Sequence, residues 1–275
     1  MSVRPASAGG LHFDAKARGG RFIINGMSVT RWMTPDLTQV DSDGWGVLRS
    51  ALNRRMVPAR STLVQSKRNR VWVVETDVRP VVLKQFLSGR CSDEFEALLR
   101  ARKAGIDVPY PFHKESEMLV MEYVPGESCE MMINHMFSSD VADGLGRWLA
   151  GFHTSLGDGA DQQLMGDAVL SNFLYHDGRV YGVDLEDTRP GDALEDLGQM
   201  VASVLCCEPM FSPVKFDLSL RLLSAYEAAS GRQVAEAVKP FVSKHIMRNS
   251  LSRPLFRRTF AAAARTLERG WPDLA

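Results

Sequence analysis

The sequence is poor in cysteine and has no long apolar run. Each absence argues against one class of protein, the disulfide-rich proteins and the membrane-spanning proteins. Its four cysteines, Cys91, Cys129, Cys206 and Cys207, include no C-x-x-C pair, so we expect no disulfide framework and a reducing environment. No apolar stretch approaches the roughly 18 residues that suggest a membrane-spanning helix. The first residues also lack the apolar core of a secretion signal. We therefore expect a cytoplasmic protein with no membrane partner.

Neither sign of charge dominates, because 33 lysines and arginines face 33 aspartates and glutamates. The chain-wide basic field that attracts nucleic acid is therefore missing, and we expect no nucleic-acid partner. The 275 residues are enough for one large domain or two modest ones with buried cores.

Hydrophobic patterning divides the chain into a β-rich first half and a helical second half. Residues 61–86 contain short β-rich runs separated by polar segments. A helix is expected from Ser92, which would cap its first turn, and residues 118–124 indicate a further strand. Beyond Pro125-Gly126 the pattern is mainly helical. The sequence thus predicts an α+β architecture with a ligand cleft where the two halves meet.

We expect four regions along the chain. Residues 1–55 form an N-terminal extension of unassigned role, although Asn25-Gly26 between apolar runs predicts a hairpin there. Residues 56–120 form the first lobe, residues 121–127 a hinge, and residues 128–275 a helical second lobe with one β-hairpin. The helices expected in the second lobe cover residues 141–156, 192–207, 217–230 and 233–248.

Residues 166–186 carry the clearest chemical pattern. Asp177-Gly178 between two apolar runs predicts a hairpin turn, and pairing about that turn sets residue 172 opposite residue 183. Asn172 and Asp184 then lie side by side, and Asp167 leads into the same end. Carboxylate and amide oxygens suit Mg²⁺, which usually keeps phosphates among its other ligands. The same residues also fit an ordinary polar turn, so this pattern alone leaves both interpretations open.

Lys84 ends an apolar β-run and is the second chemical candidate. A buried lysine needs a partner, and Glu94 at the start of the next helix is the expected one, with Glu96 as the alternative. A paired lysine that reaches the cleft would bind phosphate. An edge-strand lysine in solvent is the ordinary alternative.

These features, taken in order, resemble the protein-kinase-like superfamily. The resemblance covers about residues 61–230 and rests on Lys84, Glu94, Met121-Glu-Tyr-Val124, Asp167, Asn172 and Asp184. Three further segments resemble the small-molecule branch, the aminoglycoside phosphotransferases and choline kinases: Ser66 to Trp72, Asp184-Leu-Glu186 and Gly191 to Leu197. Residues 104–109 are typical of that branch and also of the atypical Bud32 and RIO kinases.

The resemblance implies a bilobal kinase-like fold. It also implies an enzyme that uses ATP and Mg²⁺ to phosphorylate a hydroxyl of a small molecule. By the same resemblance Lys84 contacts phosphates and Glu94 holds it in place. Asp167 accepts or orients the hydroxyl proton, while Asn172 and Asp184 bind the metal. Asn69, Glu122 and Val124 would contact the nucleotide, the last two through backbone groups.

Three departures from the kinase pattern keep other functions open. The Gly-rich loop is missing, Met165 replaces the usual histidine, and Val169 stands where protein kinases carry a lysine. An atypical protein kinase or ATPase of the Bud32 or RIO kind, or a nucleotide-binding pseudokinase scaffold, therefore remains an alternative.

Further expectations concern the acceptor, a basic stretch and two structural residues. Acidic side chains near Asp184, namely Glu186, Asp187 and Asp192, suggest a cationic acceptor. The basic stretch of Lys244, Arg248, Arg253, Arg257 and Arg258 is expected to be a solvated helix face. We expect His153 to be structural and Asp196 to brace the catalytic loop.

Overall fold

The computed structural model describes residues 22–24, 27–29, 40–52, 58–64, 68–157 and 162–271. The strands in these ranges are β1 (Phe22–Ile24), β2 (Met27–Val29), β3 (Pro58–Val64), β4 (Arg70–Thr76), β5 (Val81–Gln85), β6 (Pro111–Glu115), β7 (Met118–Glu122), β8 (Glu127–Ser128), β9 (Gln162–Leu164), β10 (Phe173–His176), β11 (Arg179–Gly182) and β12 (Arg189–Gly191). The α-helices are α1 (Ser42–Ala51), α2 (Cys91–Lys103), α3 (Cys129–His135), α4 (Ser139–Ser155), α5 (Ala193–Leu205), α6 (Pro213–Ser230), α7 (Lys239–Ser252) and α8 (Arg257–Arg269).

The first lobe is built on a five-stranded antiparallel sheet in the order β3-β4-β5-β7-β6. Successive side chains of a strand point to opposite faces, and the two faces bury different helices. Val71, Val73 and Val82 face the core that contains α2, whereas Trp72 and Leu83 face α1. Lys84 lies two residues after Val82, so its side chain emerges on the α2 face, toward the cleft.

Helix α1 belongs to the core of the first lobe, although the sequence predicted only an extension of unassigned role over residues 1–55. Asp41 caps it by accepting a hydrogen bond from the Gly44 N–H at 2.8 Å. Val47 and Leu48 are buried against the sheet beside Val120. Strands β1 and β2 pair antiparallel with Ile24 opposite Met27, which confirms the predicted hairpin; Asn25-Gly26 itself lies outside the described residues.

The predicted cap of α2 was wrong. The helix begins at Cys91, two residues earlier than a Ser92 cap would place it, and its N-cap Arg90 makes no side-chain capping bond. Ser92 is already helical, and its hydroxyl accepts a hydrogen bond from Lys114 Nζ at 2.8 Å. Asp93 and Glu94 occupy the first turn, as expected for the positive end of a helix.

The second lobe is a helical layer in which α4 packs on α6 and α5 packs on α7. The helices predicted there are present with shifted ends, and α8 was not predicted. In the described part of the chain, no helix has the length and apolarity needed to cross a membrane.

The predicted hairpin of the second lobe has the predicted register. β10 and β11 pair with Phe173 opposite Gly182, so Asn172 lies opposite Val183, whose N–H donates to the Asn172 carbonyl at 2.9 Å. Asp177 and Gly178 both have positive φ, 47° and 77°, as the tight turn requires. The open end of the hairpin therefore presents Asn172 and Asp184 together.

Candidate active site

Lys84 joins the two lobes at the back of the cleft. Its ammonium lies 2.5 Å from Glu94 Oε2 on α2 and 2.6 Å from Asp184 Oδ1 in the second lobe. Burial lowers the pKa of Lys84, but the charges of Glu94 and Asp184 outweigh burial and hold it above its ordinary value. The structure therefore supplies the partner that a buried lysine needs, and Glu96 is exposed instead.

Three carboxylates converge beside this lysine. Glu94, Asp184 and Glu186 each place an oxygen within 4.8 Å of the others. Glu94 Oε1 is buried and has no hydrogen-bond partner in the described part of the chain. Burial raises the pKa of Glu94, while Lys84 opposes that rise. Asp184 itself has a positive φ of 64°, a conformation that costs energy in a residue other than glycine and often marks functional sites.

Asp167 stands at the opening of the cleft with both carboxylate oxygens engaged. Gln199 Nε2 donates to Oδ1 at 2.8 Å, and Asn172 Nδ2 contacts Oδ2 at 3.3 Å. Burial raises the pKa of Asp167, and the hydrogen bonds from Gln199 and Asn172 oppose the rise. Asn172 uses only its Nδ2 in these contacts, which leaves its oxygen for other ligands.

A buried polar chain holds the backbone just before Asp167. Asp196 accepts hydrogen bonds from the Met165 N–H at 2.6 Å and from the Gly166 N–H at 3.1 Å. His153 contacts Asp196 at 3.1 Å and Tyr226 at 3.2 Å through its two ring nitrogens. The geometry matches the expected structural roles of His153 and Asp196, because both side chains are buried and contact only other protein groups in the described part of the chain.

The remaining predicted nucleotide contacts lie around the cleft. Glu122 ends β7, and its carboxylate accepts from the Tyr110 N–H at 3.0 Å. Val124 is buried two residues later. Asn69 is also buried; its Nδ2 donates to Glu186 at 2.8 Å and its oxygen accepts from the Leu87 N–H at 3.2 Å.

An ionic cluster, which we call the interlobe cluster, links the lobes at the mouth of the cleft. It consists of Arg68 and Arg90 from the first lobe and Glu186 and Asp187 from the second. Arg68 lies 2.7 Å from Asp187, and Arg90 also pairs with Asp187. Arg68 reaches Glu186 at 3.7 Å, and Arg90 donates to the Glu186 carbonyl at 3.3 Å. The charge of Arg68 also acts to lower the pKa of Asp167.

A cavity of about 830 Å³ opens beside Asp167. The interlobe cluster forms one part of its lining, and α5 and α7 form another. Its volume falls in the range of small-molecule sites. Val169 faces this cavity at the position where the sequence lacks a lysine.

Sequence reasoning missed Gln199, Arg68 and Arg90 as parts of the site. Gln199 lies on α5, 32 positions after Asp167, and nothing in its local pattern marks it. Arg90 precedes α2 at a position that reads as an ordinary loop. Their contacts arise from the packing of elements that are distant in sequence, and the local sequence does not predict that packing.

Comparison with known proteins matches part of this chain to one family model. A model described as "Phosphotransferase enzyme family" matches residues 62–166. The Bud32 subunit of the KEOPS complex from Pyrococcus abyssi (strain GE5 / Orsay) is 27% identical over 110 residues, which cover 38% of this chain and 47% of that protein. The chain thus spans about half the length of that relative.

Solved structures resemble most of the chain. A choline/ethanolamine kinase family protein from Mesorhizobium loti has a TM-score of 0.59 at 15% identity, covering 82% of this chain and 94% of its own. An amicoumacin kinase, solved in complex with AMP-PNP, Ca²⁺ and Ami, has a TM-score of 0.56 at 12% identity, covering 86% and 95%. This likeness confirms the predicted bilobal protein-kinase-like fold. The matched family model is one of phosphotransferases and covers residues 62–166, which are less than half of the chain.

Proposed function

We propose that the protein is an ATP- and Mg²⁺-dependent phosphotransferase that moves the γ-phosphate of ATP to a hydroxyl of a small molecule. The observation that carries the proposal is Lys84, a buried cation held by Glu94 of one lobe and Asp184 of the other. A cation fixed at the back of a cleft, with a carboxylate at its mouth, suits phosphate binding and hydroxyl activation. The amicoumacin kinase solved with AMP-PNP supports ATP as the donor.

The oxygen donors beside Lys84 fit Mg²⁺. Asp184, Glu186 and the free oxygen of Asn172 would hold it, because carboxylate and amide oxygens are its preferred protein ligands. Mg²⁺ bound there would neutralise charge on the phosphate oxygens. Asn69 would act through Glu186, which it holds by a hydrogen bond. The backbone groups of Glu122 and Val124 would contact the adenine.

Asp167 would orient the acceptor hydroxyl and take its proton. The hydroxyl oxygen forms the new bond to the γ-phosphorus as the bond from that phosphorus to the β,γ-bridging oxygen breaks, and ADP leaves with the electron pair. Gln199 and Asn172 hold the Asp167 carboxylate, and Asp196 holds the backbone before it, so the base is positioned in advance. A raised pKa favours proton acceptance near neutral pH.

The test is Asp167→Ala, assayed with labelled ATP, Mg²⁺ and a panel of small alcohols. We expect kcat to fall by about 10² to 10⁴, the usual contribution of a positioned base, with AMP-PNP affinity within about twofold of wild type. Asp217→Ala on the exposed face of α6 is the matched control and should change neither quantity.

Other outcomes would favour the alternatives. Label on protein and not on a small molecule would favour an atypical protein kinase. Nucleotide binding without turnover, unchanged by Asp167→Ala, would favour a pseudokinase scaffold. Equal losses of nucleotide binding and turnover would contradict the role of Asp167 as base.

A further inference from the structure

One wall of the cavity beside Asp167 is distinctly basic. Helix α7 presents a single face to it, because the lining residues His245, Arg248, Asn249 and Ser252 are three, four and seven positions apart. Arg253 follows directly. We call these five residues the basic wall. The lining residues that α5 and α7 contribute include no aspartate or glutamate among those the structure describes.

The charges of the basic wall are not neutralised by the described protein. Arg253 donates to the Cys206 carbonyl at 2.9 Å, which is a neutral acceptor. Arg248 is exposed to the cavity and has no carboxylate partner among the described residues. Burial, followed by the charges of Lys244 and Arg248, lowers the pKa of His245.

The other arginines of the cavity are already paired. Arg68 and Arg90 bind Asp187, and Arg189 lies 2.9 Å from Glu195. Arg248 and Arg253 therefore differ from the other arginines of the lining, because neither has a carboxylate partner among the described residues.

The acidic groups of the lining come from other elements. Asp167 and Glu186 belong to the candidate active site, while Asp93 and Glu130 come from α2 and α3. The cavity lining thus contains the carboxylate of Asp167 together with two guanidinium groups that have no carboxylate partner among the described residues. Guanidinium groups in this state suit carboxylate or phosphate oxygens, which they bind through charge-assisted hydrogen bonds.

We propose that the phosphate acceptor is an anionic alcohol whose carboxylate or phosphate group binds Arg248 and Arg253 while its hydroxyl reaches Asp167. This inference rests on the proposed function, because it names the acceptor class of the same site. It replaces two expectations from the sequence. The acidic residues near Asp184 suggested a cationic acceptor, but Asp187 is paired with Arg68 and Arg90. The basic stretch was expected to be a solvated face, but two of its residues, Arg248 and Arg253, line the cavity. A cationic acceptor would be repelled by the basic wall.

The binding test uses calorimetric titration with four probes at one ionic strength. Glycerate and glycerol 3-phosphate supply a carboxylate and a phosphate, glycerol supplies no charge, and choline supplies a positive charge. Each titration is run with and without saturating AMP-PNP and Mg²⁺, which keeps phosphate probes out of the nucleotide site. We expect at least one anionic probe to bind about tenfold or more tightly than glycerol and choline, and the stronger anion identifies the group.

Variants assign that binding to the basic wall. Arg248→Gln should weaken anion binding about tenfold, the order expected for one charge-assisted hydrogen bond, and leave glycerol binding unchanged. Arg248→Lys should retain part of the affinity. Arg265→Gln is the matched control, because Arg265 is an exposed arginine of α8 that does not line the cavity. An unchanged Tm for all three variants excludes misfolding as the cause.

The outcomes separate the two proposals. Choline binding as tight as anion binding, equal effects of Arg248→Gln and Arg265→Gln, or no anion binding at millimolar concentration would each overturn the anionic acceptor. If AMP-PNP binds with Mg²⁺ and anions show no preference, the proposed function stands and this inference fails. If anions bind through Arg248 but no nucleotide binds, the anion site stands and ATP-dependent transfer is rejected.

Discussion

At the scale of single residues, Lys84 and Glu94 form a buried ion pair at the proposed site. Both side chains are almost fully buried, and Lys84 also contacts Asp184 across the lobes. A buried pair contributes little net stability compared with apolar residues of similar size, but removal of one partner leaves an uncompensated charge. The net stability that the pair adds is therefore too small to explain it, and the proposed binding of phosphate by Lys84 is the better explanation.

Lys84→Met should destabilise the fold because it leaves Glu94 buried without a cation. We expect the free energy of unfolding, measured in urea, to fall by about 3 kcal/mol or more. Adding Glu94→Leu should restore most of that loss, while AMP-PNP binding stays abolished in both variants. Arg221→Met, which breaks the exposed 2.8 Å pair with Asp143, is the control and should cost under about 1 kcal/mol. Equal instability of the single and double variants would show that Glu94 is not the stranded group.

Asp167 should reveal its raised pKa through the pH dependence of stability. A carboxyl whose pKa is higher in the folded than in the unfolded state favours folding when protonated, and that contribution is lost as pH rises through the folded pKa. Asp167→Asn removes the buried charge. We therefore expect Asp167→Asn to be more stable than wild type at neutral pH, with the difference vanishing below the ordinary aspartate pKa of about 3.9.

Urea unfolding of Asp167→Asn and wild type across this pH range measures the effect. The exposed Asp217→Asn should show no such pH-dependent gain. The gain in stability of Asp167→Asn should accompany a loss of turnover, because stability and activity often oppose each other at functional sites. A variant that is less stable than wild type at neutral pH would contradict the sign of the effect.

Some residues of the candidate site could be predicted from the local sequence around them, and others could not. Asn172 and Asp184 were predictable because one tight turn, Asp177-Gly178, sets their register. Lys84 and Glu94 are ten positions apart, on a strand and the helix that follows it. Gln199 and Arg248 were not predictable as cavity residues, because only the packing of α5 and α7 brings them there.

At the scale of elements, the fold depends on a close approach of α4 to α6. An added Cβ at Gly146 would lie 2.2 Å from the Leu222 carbonyl oxygen, and backbone cannot move aside as a flexible side chain can. The sequence predicted both helices but could not predict this contact, since glycine inside a helix has several possible causes. Helix α1 lies in the extension whose role the sequence left unassigned, and its burial against Trp72 and Leu83 assigns it to the first lobe.

Gly146→Ala and Gly46→Ala should therefore change stability in opposite directions. Both glycines are inside helices, but Gly46 is exposed on α1 with nothing within 4 Å of an added Cβ. Gly46→Ala should stabilise by roughly 0.5–1 kcal/mol through helix propensity. Gly146→Ala should destabilise by about 1–3 kcal/mol, the usual cost of overpacking. Thermal unfolding measures both, and stabilisation by Gly146→Ala would contradict the close approach.

At the scale of the whole molecule, the lobes are joined by ionic groups of two kinds. Lys84 is buried where it meets the partly exposed Asp184, whereas the arginines of the interlobe cluster are largely exposed, with 63% of the Arg68 side chain accessible. Exposed ion pairs add little to stability and weaken with salt. We infer that the interlobe cluster controls how far the cleft opens and contributes little to folding.

Asp187→Asn tests this role because one change removes the carboxylate that both Arg68 and Arg90 bind. The free energy of unfolding should fall by no more than about 1–2 kcal/mol, the sum for two exposed pairs. The radius of gyration without nucleotide, measured by small-angle X-ray scattering, should increase, and high salt should produce the same increase in wild type. AMP-PNP with Mg²⁺ should restore the compact form by binding both lobes, and Asp217→Asn should scatter as wild type does. An Asp187→Asn variant that stays as compact as wild type without nucleotide would show that other contacts hold the lobes together.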